Sequence, residues 1–79
     1  MPTIFIIDSI KILVYFDDHN PPHFHAVYDD HEELIIIASL ETLKGSLPPS
    51  RKRKVIDWAR ENMNFIVRKW NEFNPENKL

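Results

Sequence analysis

Thr3-Ile4-Phe5-Ile6-Ile7-Asp8-Ser9-Ile10-Lys11-Ile12-Leu13-Val14-Tyr15-Phe16 is the stretch on which the fold turns. β-Branched and aromatic side chains crowd both of its halves, and such residues favour an extended backbone. Asp8-Ser9 between them can close a tight turn through side-chain to backbone hydrogen bonds. The stretch therefore predicts two antiparallel strands, Thr3 to Ile7 and Ile10 to Phe16. In the second, a period of two puts Ile10, Ile12, Val14 and Phe16 on one face and Lys11, Leu13, Tyr15 and Asp17 on the other.

Outward from this hairpin, Asp17-Asp18-His19-Asn20-Pro21-Pro22 suits neither strand nor helix. Two consecutive prolines remove two backbone donors and set two φ angles, so the connection is stiff. A third strand is expected at about Phe24 to Tyr28, a turn at Asp29-Asp30-His31, and a fourth strand from Glu33 to Ala38 or Ser39. Gly45 ends a further short extended piece. The apolar run Leu34-Ile35-Ile36-Ile37-Ala38 implies that both faces of its strand are covered. One helical layer covers only one face, so the other calls for a contact within the chain or for a homo-oligomer.

From Pro49 the pattern changes to a helical one, with Ser46 or Ser50 available to cap it. Val55, Ile56, Ala59, Met63, Ile66, Trp70 and Phe73 keep one face in phase. A straight helix over 50–74 would be about 37 Å long, more than the roughly 25 to 30 Å expected of a globule this size. A break is expected at Asn62-Met63-Asn64, since asparagine is a poor helix former and a good cap. The reading is an α+β domain: an antiparallel sheet of about four strands, then a C-terminal helix or broken helix pair packing on one face. Residues 1–79 form one domain in this reading, with a β part over 1–47, a helical part over 48–74 and a frayed tail over 75–79. Trp58 and Trp70 serve as core or interface anchors, and Tyr15 and Tyr28 as core-edge residues whose phenols can lie beside the histidines.

Composition narrows the chemistry. The chain has 79 residues, one glycine and no cysteine, which removes glycine-rich phosphate loops, thiolate metal sites and cysteine nucleophiles. No serine stands in an elbow motif. The longest apolar stretch is far short of the roughly 18 residues a membrane span needs, and the N-terminus lacks the features of a signal peptide, so the expected location is the cytoplasm, with no membrane partner. The formal net charge of −2 hides an asymmetry. Residues 1–47 carry eight acids against two bases, and residues 48–79 carry eight bases against four acids. The halves then attract each other, or the basic half meets an anionic partner.

Three of the four histidines, His19, His23 and His25, fall within seven residues. If 23–27 is extended, His23 and His25 point to one face and their imidazoles are neighbours. Neutral imidazoles suit a divalent metal such as zinc, nickel or copper, with His19, Asp17 or Asp18 completing the shell. Alternatively, His19, His23 and His25 are catalytic, one accepting and another donating a proton in phosphodiester cleavage. In a third reading they only bond to backbone groups of the proline-stiffened turn. His31 reads as a solvated turn residue. Arg51-Lys52-Arg53-Lys54 at the helix entry can neutralise phosphates of an RNA, or form a solvated face that pairs with the acidic half.

Over Tyr15-Phe16-Asp17-Asp18-His19-Asn20-Pro21-Pro22-His23-Phe24-His25 the chain resembles a family of small bacterial proteins known as domain of unknown function four-one-six-zero. The resemblance extends to Met1-Pro2-Thr3-Ile4, Gly45-Ser46-Leu47-Pro48, Trp58-Ala59 and Trp70, with a departure at Asp29-Asp30-His31-Glu32, where the commoner pattern has a glycine-containing turn. It implies a gene beside a second small gene, as in toxin-antitoxin pairs, and hence a cognate protein partner. The order of strands and helix is also similar to small double-stranded-RNA-binding-like toxins. That likeness implies His23 or His25 as general base or acid and Arg51, Arg53 and Lys54 on the phosphate backbone. The expected function is a component of a toxin-antitoxin-like module with a histidine-rich, RNA-cleaving site. The alternative is a non-enzymatic metal- or protein-binding module or antitoxin subunit.

Overall fold

The computed structural model describes residues 3–16 and 18–79, so the expectations for Met1, Pro2 and Asp17 lie outside the described residues. Five antiparallel strands form a meander in the order β1-β2-β3-β4-β5: β1 (Thr3–Ile7), β2 (Ile10–Leu13), β3 (His23–Tyr28), β4 (His31–Ile36) and β5 (Thr42–Ser46). Two helices follow, α1 (Pro49–Glu61) and α2 (Met63–Phe73). The class is α+β as expected, with one strand more than about four because the extended piece ending near Gly45 pairs with β4.

Turn chemistry explains the hairpins. Asp8 and Ser9 take φ of 44° and 68°, and Asp29 takes 52°, a left-handed conformation that aspartate tolerates because its short polar side chain bonds locally. The glycine-free turn after β3 therefore closes on Asp29-Asp30, and His31 becomes the first residue of β4 rather than part of the turn. Gly45, at φ 79°, lies so close to β4 that an added Cβ would collide with the Glu32 carbonyl oxygen.

Register assigns the faces. Ile12 opposes Ala26, and Phe24 opposes Ile35, so Ile10, Ile12, Val14, Phe24, Ala26, Ile35 and Ile37 lie together under Val55, Ala59, Ile66 and Trp70 of the helices. β2 ends at Leu13 as the chain turns away, and Phe16 is 66% exposed rather than in the core, its ring stacked on Phe73. On the opposite face Leu13 is buried, and Val27, Leu34 and Ile36 are half-buried. The helices thus cover one face of β4, and the expected cover on its other face is incomplete.

The helical half breaks at Asn62, whose φ of −125° and ψ of 28° leave the helix. Its side-chain amide donates to the Trp58 carbonyl at 2.9 Å, the competition with backbone bonding that makes asparagine a poor interior residue. The bend keeps the pair within a body of 34 × 24 × 20 Å. Neither Ser46 nor Ser50 caps α1. Pro48 occupies the cap without a side-chain bond, and Ser46 is the last residue of β5.

Past α2 the chain makes hydrogen bonds to the body. Trp70 Nε1 donates to the Asn77 carbonyl at 2.7 Å, and the Asn77 amide donates to the Asn20 side-chain oxygen. Asn74 is buried. An indole and three asparagines supply hydrogen bonds that end the chain on the body, which outweighs the loss of helix propensity at Pro75.

Glu33 is the buried acid of the core, 1% exposed. It shares a face with Ile35 and Ile37, and its carboxylate accepts the Leu47 N–H at 2.9 Å, the Thr42 hydroxyl and the Lys52 ammonium at 3.0 Å. Burial pushes this carboxyl up, but the bonds from Thr42, Lys52 and Leu47 and the Lys52 charge outweigh it, so it titrates below the usual glutamate range. A depressed carboxyl contributes stability above the unfolded value and loses it as pH falls through the folded one. Glu33→Gln is expected to lose about 2 kcal/mol at pH 7, because the amide turns a donor towards other donors. That deficit should shrink as urea midpoints are compared at pH 6, 4.5 and 3. A deficit constant across the series would show that the carboxylate's charge is not what ties β5 and α1 to the sheet.

Candidate functional site

The loop after β2 and the start of β3 build the one cluster of metal-ligating side chains among the described residues: Asp18, His23 and His25, with one ligand atom of each within 4.8 Å of the others. His23 and His25 are two apart on a strand, so they share a face, with ring centroids 5.1 Å apart. Asp18 reaches them because Asn74 holds its loop. The Asn74 side-chain oxygen accepts the Asp18 N–H at 2.8 Å, and its amide donates to the carbonyls of Tyr15 at 3.1 Å and Trp70 at 3.2 Å. Tyr15 sets its ring edge-on to His25 at 4.6 Å, and Trp70 stands 6.0 Å from His23. The side chains are sheltered, 4% exposed for His23, 13% for His25 and 17% for Asp18.

Every ring nitrogen of the pair faces an oxygen. His23 Nδ1–H donates to the Pro21 carbonyl at 2.8 Å, and since a carbonyl only accepts, that nitrogen carries the proton. Its Nε2 lies 3.1 Å from Asp18 Oδ2. His25 has Nδ1 at 2.9 Å from Glu32 Oε2 and Nε2 at 3.3 Å from the same Asp18 oxygen. When both rings are neutral and protonated at Nδ1, two lone pairs and a carboxylate oxygen converge, a place that a proton on either imidazole or a metal ion can occupy. Burial raises the Asp18 carboxyl, but the His19 N–H, the His25 hydrogen bond and the charge the imidazoles carry when protonated bring it below the usual aspartate range.

The other sequence candidates separate. His19 is exposed; its backbone N–H donates to Asp18 Oδ1 at 2.9 Å, and it lines a polar cleft of about 390 Å³ with Asp18, Asn20, Asn74, Glu76 and Asn77 instead of joining the two imidazoles. The basic run is engaged within the chain. Arg51 lies over the Tyr28 ring at 4.5 Å, Lys52 pairs with Glu33, Arg53 stands 4.0 Å from Asp57, and Lys54 meets Asp8 at 2.6 Å. Sequence reasoning placed Glu32 in a turn and Glu33 at the start of a strand without assigning either a partner, and took Asn74 only as the end of the helical part. Alternation from Ile35 and Ile37 would have put Glu33 in the core, whereas Asn74 carries no local signal.

No helix of the described residues is long and apolar enough to cross a membrane. No curated protein and no solved structure matches the chain. Residues 9–71 match a family model described as a domain of unknown function, DUF4160, and the chain belongs to that family.

Proposed function

We propose that this protein is a metal-binding module that holds one divalent cation of the zinc class on Asp18 Oδ2, His23 Nε2 and His25 Nε2. The observation that carries the reading is the convergence of those three atoms with both Nδ1 positions bonded outward. Two ligands of a tetrahedral zinc at about 2.0 to 2.1 Å stand about 3.3 Å apart, close to the 3.1 and 3.3 Å between Asp18 and the two imidazoles. Doubly protonating both rings instead would set two cationic imidazoles, centroids 5.1 Å apart, around one carboxylate oxygen. A single divalent ion supplies that charge without two like charges side by side.

The same geometry weighs against the RNA-cleaving reading. The Nε2 atoms of His23 and His25 turn inward to Asp18, with side chains only 4% and 13% exposed, which keeps a bulky phosphodiester from them, and of the bases expected on phosphates Lys52 is held by the buried Glu33. The half-buried Val27, Leu34 and Ile36 support association with a cognate protein or a second copy over the incompletely covered sheet face.

The test is calorimetric titration of chelator-treated protein with zinc. Stoichiometric binding is expected in the wild type. His25→Ala is expected to weaken it at least 100-fold, while His19→Ala changes it less than about threefold. At zinc 100 times above Kd the native state gains about 2.7 kcal/mol, visible as a rise in Tm. Absence of stoichiometric zinc from the wild type would overturn the reading, as would RNA cleavage by the chelated protein that His25→Ala abolishes.

A further inference from the structure

Glu32 and Glu33 are adjacent acids on β4, and the period of two sends them to opposite faces. Glu33 goes into the core and ties β5 and α1 to the sheet. Glu32 goes to the histidine face, where Val27 opposes Glu32 and His25 opposes Leu34. Its carboxylate, 49% exposed, takes up no lysine or arginine among the described residues and meets only His25 Nδ1, at 2.9 Å. The backbone beneath it is held firmly, with the buried Glu33 on one side and Gly45 packed against the Glu32 carbonyl.

Resting on the metal reading, we infer that Glu32 is a positioning residue of the centre: it fixes the His25 ring with Nε2 inward and supplies the second negative charge. The two imidazoles are thereby unequal. His23 donates to a neutral carbonyl and His25 to a carboxylate, and a carboxylate partner raises the electron density at the opposite nitrogen, making His25 the stronger donor. The charges also close. Asp18 and Glu32 carry two negative charges beside two neutral imidazoles, which match one divalent ion in a sheltered place where an uncompensated charge is costly.

Glu32→Gln keeps an oxygen that accepts from Nδ1–H and removes the charge, whereas Glu32→Ala removes both. Zinc affinity is expected to fall about 10-fold in the first and up to about 100-fold in the second, with the Tm of the metal-free variants near that of the wild type. Loading with cobalt(II) is expected to give a shifted visible absorption in Glu32→Gln, a change at the ion that a merely structural role would not produce. Wild-type zinc binding with unchanged affinity and unchanged cobalt absorption in both variants would overturn the role of Glu32 and leave the metal reading standing. Failure of the wild type to bind zinc would overturn both.

Discussion

Trp70→Ala is expected to remove a large part of the chain's stability at 25 °C. The indole is fully buried and central to the cluster joining both helices to the sheet, and truncating a buried tryptophan costs about 3 to 5 kcal/mol. A chain of this length has about 4 to 12 kcal/mol in all. The loss is compounded because the Asn77 carbonyl gives up its donor, which releases the segment holding Asn20 beside the site. Trp70→Phe keeps most of the apolar contact and loses the N–H, so about 1 to 2 kcal/mol is expected. Urea unfolding followed by far-ultraviolet circular dichroism reads both. A Trp70→Ala midpoint equal to that of the wild type would refute the central place given to this ring.

Asn74 is expected to show the opposite order from ordinary size rules, with the isosteric substitution worse than truncation. Asn74→Ala strands the Asp18 N–H and the Tyr15 carbonyl at a place only 2% exposed, at about 1 to 3 kcal/mol for each group left without a partner. Asn74→Asp keeps the acceptor for Asp18 but turns a carboxylate towards the carbonyls of Tyr15 and Trp70. It also adds a buried charge next to a loop that already carries Asp18. Its deficit relative to the wild type should narrow as pH falls and the new carboxyl takes a proton. Both variants should also lose zinc affinity, since the Asp18 backbone loses its anchor. Denaturant midpoints at pH 7 and pH 4.5 with zinc titration of whatever remains folded would decide. Equal midpoints for Asn74→Ala and the wild type would show that the loop holds its shape without this clamp.

Trp70 was legible as a core anchor, whereas Asn74 marks where reading from the sequence stopped. The hairpin at Asp8-Ser9, the β3 to β4 turn, the helix break near Asn62 and the pairing of His23 with His25 were all legible, because each follows from preferences acting over four residues or fewer. The attraction between the acidic and basic halves was legible too, as a sum of charges, although the partners Asp8 with Lys54 and Glu33 with Lys52 were not.

Asp18, rather than His19, faces the imidazoles because Asn74, 56 residues away, grips its backbone. No local pattern encodes a bond of that span. The alternation of strands determined that two imidazoles would be neighbours, and the helical period determined that one apolar face would meet the sheet. Only the tertiary structure decided which carboxylates complete the histidine pair, which acid is buried, and that the tail closes on the body. Periodicity is a property of the backbone within a few residues, whereas a side chain's partners depend on register and on how distant segments meet.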